Sequence, residues 1–221
     1  MSMRLISVTL LAVAAASPAA AHPHVFIDTA FDLIFDDAGL LTGVQVEWTY
    51  DELYSLLLVE ENELDQDSDG IPEPQRLNAF AGGDVDWAAG FPGDFSVTVD
   101  GLDQALAPPA DHSADWRDGR YVTTHVMTLS DPVSPDGKVV VARSYDPTYF
   151  VAYDVPTAPG VIGQTGCDLR RERADRAAAQ AEYGDALAAV DMSSDPFEVV
   201  DLPDIGVMFA DSFILSCDPD S

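Results

Sequence analysis

Two runs of alternating residues, one on each side of a turn, constrain this chain more than anything else in it. Between residues 24 and 35, Val25, Ile27, Phe31, Leu33 and Phe35 fall on one face, with Thr29 the exception. His24, Asp28 and Asp32 fall on the other. Successive side chains point to opposite faces of a strand, so this pattern predicts a half-buried strand. Asp36-Asp37-Ala38-Gly39 supplies turn residues, and Val44, Val46, Trp48 and Tyr50 then share a face opposite Gln45, Glu47 and Thr49. The two runs predict a β-hairpin.

Beyond the hairpin the period changes. In residues 51–64 Leu53, Leu56, Leu57 and Leu64 recur near helical spacing with acidic residues between them, which predicts a helix. An aspartate-rich loop covers 65–73, and a second, shorter helix is expected from Pro74 to Phe80. Gly82-Gly83 and the stretch from Gly90 to Gly93 mark loops. Strands are expected at 94–100, 103–107, 120–129 and 138–145, followed by a turn at Asp146-Pro147 and a short strand within 145–154. A Pro- and Gly-containing linker covers 155–166. An Ala-rich helix is expected over 168–190, with Asp168 as its N-cap, and a last strand from Val207 to Leu215 ends at Cys217. The fold class that results is α+β: a β-rich, sandwich-like domain with an inserted helix-loop-helix (EF-hand-like) at about 51–81 and one late helix.

The first residues bound the compartment. Arg4 gives a short charged start, Leu5 to Ala16 carry no charge, and Ala19-Ala20-Ala21 forms a small-residue cleavage site. The apolar run is too short for a bilayer core of roughly 30 Å. Residues 1–21 therefore read as a secretion signal, 22–221 as one periplasmic domain, and His22 as the new N-terminus. Removing Arg4, the only charge in the signal, takes the formal charge from −29 to −30. Such a chain lacks the basic surface that phosphate binding needs, which excludes nucleic acid as a partner class. Cys167 and Cys217 lie in a compartment that permits oxidation, and a bridge between them is expected to contribute roughly 4 kcal/mol on the chain-entropy model.

Three constellations carry possible chemistry. At the mature terminus, His22 offers an α-amine and an imidazole and His24 a second imidazole. Pro23 has no amide N–H, so the square-planar chelate through backbone nitrogens is incomplete. An amine and two imidazoles suit zinc foremost, and also nickel, cobalt or copper. A further ligand is sought among His125 (mid-strand), His112 (read as a loop residue) and Glu47, with Asp28 an alternative on the same polar faces. Second, Asp65, Asp67, Asp69, the backbone of Ile71 and Glu73 match the first nine positions of a calcium loop, with Gly70 at the sharp turn. Position twelve, the usual bidentate glutamate, is Arg76, so calcium binding is expected to be weak if present. Third, no pattern for a nucleophilic triad, a zinc protease, a phosphate loop or a CxxC redox pair occurs, and no enzymatic activity is expected.

Several segments together resemble one family. HPHVFID (22–28), FDDAGLLTGVQVEWTYDELYS (35–55), LDQDSDG (64–70), YDPTYFVAYD (145–154) and a C-terminal strand ending in cysteine are similar to the bacterial periplasmic proteins grouped as domain-of-unknown-function family 1007, described as an uncharacterised transport-system component. The resemblance implies an accessory role beside inner-membrane permeases for zinc, nickel or cobalt. The family's aspartate loop usually carries a glutamate near its end, where this chain has Arg76.

Overall fold

The computed structural model describes residues 23–188 and 204–217. The signal segment, His22 and the end of the expected late helix lie outside the described residues. The expected hairpin forms as β1 (Val25–Phe35) and β2 (Leu41–Tyr50), antiparallel, with Phe31 opposite Val46 and Thr29 opposite Trp48. Around it a mixed sheet assembles from β5 (Ala110–Arg117), β6 (Arg120–Val133), β2, β1 and β8 (Val151–Asp154) in that order. The short β9 (Gly160–Ile162) also pairs with β1. A second, antiparallel sheet has the order β10 (Cys167–Glu172), β11 (Ser212–Cys217), β7 (Val140–Ser144), β3 (Phe95–Val99) and β4 (Leu102–Asp103).

The two sheets face one another across a shared core. Phe31 of β1 meets Phe95 of β3 at 5.0 Å and Phe213 of β11 at 5.3 Å between ring centroids, both edge to face. Aromatic pairs of this geometry contribute beyond the area they bury. Leu33, Val44, Val46, Trp48 and Tyr50 are fully buried, as the alternation requires. Thr29, the one polar residue on that face, is also buried, and its hydroxyl lies 3.4 Å from that of Ser144 on the facing sheet.

Helix α1 (Glu52–Glu61) and helix α2 (Pro74–Phe80) lie between β2 and β3 in the chain. Asp51 caps α1 by accepting from the Tyr54 N–H at 2.8 Å. Its other carboxylate oxygen accepts from Phe26 N–H at 2.9 Å, tying the helix start to β1. Yet α1 buries Ser55 and Leu58 and turns Leu53, Leu56 and Leu57 to solvent, at 70, 57 and 46 % exposure. The leucine spacing that predicts the helix therefore marks an outward face. No described helix is long and apolar enough to cross a membrane.

Three local expectations are corrected. Residues 168–172 are not the start of the late helix but belong to strand β10, paired residue for residue with β11, and Asp168 is a strand residue rather than an N-cap. Exposure alternates along this edge strand and Cys167 is bonded to Cys217, its partner in the register, which fixes it as a strand. Helix α3 (Arg176–Ala188) begins only where the alanines begin, and Asp175 accepts from the Ala178 N–H at 3.0 Å. Of residues 103–107 only Asp103 lies in a strand, the two-residue β4, and Leu106 adds a single bridge to Leu129. Residues 110–117, which read as loop, form edge strand β5; its polar, half-exposed composition gives no apolar alternation to detect. His112 is therefore a strand residue.

Candidate functional site

His24 enters the sheet at its rim. Its backbone N–H donates to the Phe150 carbonyl at 2.8 Å, and its ring lies 4.5 Å from the Phe150 ring. Phe150 is itself set by the YDPTYF segment. The buried Asp146 carboxylate accepts from the N–H groups of Thr148, Phe150 and Val151 at 2.8, 2.7 and 2.9 Å. His24 lines an open concavity of about 630 Å³ together with Asp28, Asp51, Glu52, Leu53 and Arg120. Asp28 is paired with Arg120 at 2.8 Å, and Arg120 also donates to the Tyr50 and Thr49 carbonyls. The concavity thus carries three carboxylates against one guanidinium.

The other sequence-predicted ligands do not gather there. Glu47 pairs across the sheet with Ala30, six residues along β1 from His24, or about 20 Å at the rise of a strand. It binds Arg117 at 2.6 Å instead. His125 stands opposite Val46 on the inner face and is 1 % exposed. His22 lies outside the described residues.

The structure brings His112 and His125 to each other. β5 and β6 keep register at Ser113–Thr124 and again at Ala110–Val126, so Asp111 and His112 together oppose His125. This is a β-bulge, and Asp111 takes the left-handed backbone (φ +55°) that it needs. The bulge turns His112 inward until its ring centroid is 6.0 Å from that of His125. Trp48 and Trp87 wall the pair, at 4.7 and 5.2 Å from His125, and Trp87 is 5.6 Å from His112. Both nitrogens of His125 and Nδ1 of His112 are buried without a hydrogen-bond partner. Burial, with His112 as a second cause, pushes the His125 pKa down to about 3, so the imidazole is neutral with its lone pair available.

Asp84 adjoins this interior, and sequence reasoning missed it. In the run Gly82-Gly83-Asp84 an aspartate reads as a loop residue, and nothing in the spacing marks it as buried. One of its oxygens accepts from the Tyr50 hydroxyl at 2.8 Å and the other has no partner. Burial raises its pKa, with the Tyr50 hydrogen bond acting in the opposite direction. Gly82 is needed where it stands: a Cβ there would meet the His112 ring at 2.8 Å, and its φ is +78°.

The aspartate loop joins α1 to α2. Donor oxygens of Asp65, Asp67 and Glu73 all lie within 4.8 Å of one another. Gly70 N–H donates to Asp65 at 2.8 Å, and Gln66 N–H donates to Glu73 at 3.1 Å. The Asp69 carboxylate accepts from Ile71 N–H at 2.9 Å. Arg76 donates to the Glu63 carbonyl at 3.0 Å and to Gln66 Oε1 at 2.7 Å, with its Nε 3.8 Å from Glu73. A guanidinium charge thus already lies against the acidic group.

The model of the family described as "Protein of unknown function (DUF1007)" matches residues 7–217, and the chain belongs to that family. No curated protein and no solved structure matches the chain.

Proposed function

We propose that this member of the family is a periplasmic metal-binding accessory protein of a transition-metal transport system. It captures zinc, nickel or cobalt through His22 and His24 and presents the ion to an inner-membrane permease. The observation that carries this reading is the setting of His24 at the rim of a concavity with Asp28, Asp51 and Glu52, whose negative charge attracts cations. Imidazoles bind and release divalent ions as their protonation changes, which suits transfer. A second feature supports a docking partner: the outward leucines of α1, with Trp116, line a groove of about 570 Å³ edged by Glu60, Glu63 and Asp65. Leu53 lines both concavities, so a partner seated on α1 would lie beside His24.

The reading is tested by zinc, nickel and cobalt calorimetry on chain recovered from the periplasm. His22→Ala, His24→Ala and a variant with one residue added before His22 are titrated beside it. Weakening by about 10–100-fold in each variant is expected, extrapolating from losses at supporting residues of metal sites; equal affinity in all four refutes capture at the terminus.

A calcium-stabilised interaction module is the alternative reading. It is favoured by the convergence of Asp65, Asp67 and Glu73 in an EF-hand-like loop. Calcium would then raise the melting temperature while zinc would not.

A further inference from the structure

We propose that the outward face of α1 seats a partner segment that is itself an amphipathic helix, with aliphatic anchors on one side and lysines or arginines at its margins. The inference rests on the accessory-protein reading for there being a docking partner, and it names the chemistry by which that partner is recognised. The contact itself needs no metal ion.

Exposed leucines scattered singly are ordinary, but a contiguous apolar patch rimmed by polar groups marks an interaction surface. Leu53, Leu56 and Leu57 stand at i, i+3 and i+4, so they share one side of α1. They line a single groove with Trp116 from β5. Phe26, also exposed, carries the apolar surface past Leu53 into the concavity beside His24. The helix is held from its other side, where the Ser55 hydroxyl accepts from Tyr121 N–H at 2.9 Å and Asp51 caps the first turn. The leucines are therefore presented by a fixed platform, which spares a partner the cost of ordering it. The ten residues of α1 measure about 15 Å, so a helix laid along them can offer anchors at i, i+3 or i+4, and i+7.

Charge selects the occupant. Glu60, Glu63 and Asp65 line the groove, and among the described residues no basic side chain does. Arg76 donates to the Glu63 carbonyl and to Gln66, and Arg117 pairs with Glu47 and Asp115, so both guanidinium groups are engaged elsewhere. The net charge of −29 gives the rest of the chain the same sign. An anionic lipid surface is repelled by such a face, and a second copy would set the same carboxylates against each other. A cationic amphipathic segment buries the leucines and meets the carboxylates with charges of opposite sign.

The probe is a synthetic helical peptide with leucines at i, i+3, i+4 and i+7 and lysines over its remaining face, titrated by calorimetry into the full mature chain with a chelator present. Tryptophan emission should shift to the blue as the groove is covered, and Trp116→Phe should abolish the shift. Leu56→Ser with Leu57→Ser, both at exposed positions, should weaken binding about a hundredfold, the scale of two lost leucine contacts. Glu60→Gln with Glu63→Gln should weaken it about tenfold and flatten its salt dependence. A peptide of the same composition with its leucines scattered round the helix should bind as weakly as the serine variant. The proposal is overturned if the serine variant or the scattered peptide binds as well as the native pair, which would mean unspecific charge attraction. It is overturned also if the glutamine variant is unaffected. A dimer in sedimentation that the serine variant abolishes, or leucine-dependent binding to phosphatidylglycerol vesicles in place of the peptide, overturns it in favour of a second copy or a membrane. These results leave metal capture at His22 and His24 untouched, whereas a chain that takes the peptide but no metal refutes capture and keeps the docking face.

Discussion

Replacing Asp146 removes the centre of the YDPTYF turn, and the cost can be worked from its bonds. The carboxylate accepts three backbone N–H groups at 2.7–2.9 Å and the Thr148 hydroxyl at 2.9 Å, at 6 % exposure. A hydrogen bond to a charged acceptor contributes about 1.5–3 kcal/mol. Phe150 N–H has a fallback in the Thr148 hydroxyl at 3.3 Å, so not all three donors are orphaned. Asp146→Ala should therefore destabilise by about 4 kcal/mol and Asp146→Asn by about 2, against a total of about 5–15 kcal/mol for a typical domain. Urea unfolding at unchanged slope measures it, and a loss under about 1 kcal/mol for alanine would refute the reasoning. The pH dependence gives a second check. Asp94, buried and bonded from the Tyr153 hydroxyl, has its pKa raised well above the usual range, first by burial and then by the charge of Asp146. An acid whose folded pKa is raised loses stability as pH climbs from its unfolded value, about 3.9, through its folded one. Removing the charge at 146 lowers that folded value and shortens the decline. The deficit of Asp146→Asn should therefore shrink as pH rises from 4, and a deficit that grows would show that Asp146 does not act on Asp94.

Gly206 packs on the same turn, where a Cβ would fall 1.7 Å from the Asp146 carbonyl oxygen; Gly206→Ala should cost about 3 kcal/mol in thermal or urea unfolding. Reduction of Cys167–Cys217, which closes a separation of 50 residues, should lower stability by about 4 kcal/mol, read as the unfolding midpoint with and without reductant. Arg76→Glu places a carboxylate at the twelfth loop position and withdraws the guanidinium from Gln66 and Glu73. Calcium affinity by calorimetry should rise at least about tenfold over the native chain, and no change would mean the loop geometry, not Arg76, limits binding.

How much was legible depended on whether a residue's neighbours were local. The hairpin, the helix from Pro74 to Phe80 and the Asp146-Pro147 turn follow from alternation, an N-terminal proline and an Asp-Pro step, all local signals. β5 was missed because an edge strand with little apolar surface does not alternate in hydrophobicity, and with it went the bulge that aims His112. β10 was read as helix because its alternation is short and the alanines that follow dominate the window. The exposure of Leu53, Leu56 and Leu57 was illegible for a related reason: period says that a face exists, not which side the core is on. Asp84 was missed because its hydrogen-bond partner, Tyr50, is 34 residues away in the chain.

The histidines show what register adds to such signals. His125 pairs with Val46, and Val46 pairs with Phe31, so these three form one row across β6, β2 and β1. Phe31 points into the core, and His125 therefore does too. His24 is seven residues from Phe31, an odd number, which by the two-residue period of a strand puts it on the opposite face. The same seven residues carry it about 23 Å along the sheet. No single ion reaches across a packed sheet and over that distance, so one site does not hold both His24 and His125. The effects of substitutions at His24 and at His125 should therefore add, because groups this far apart share no partner.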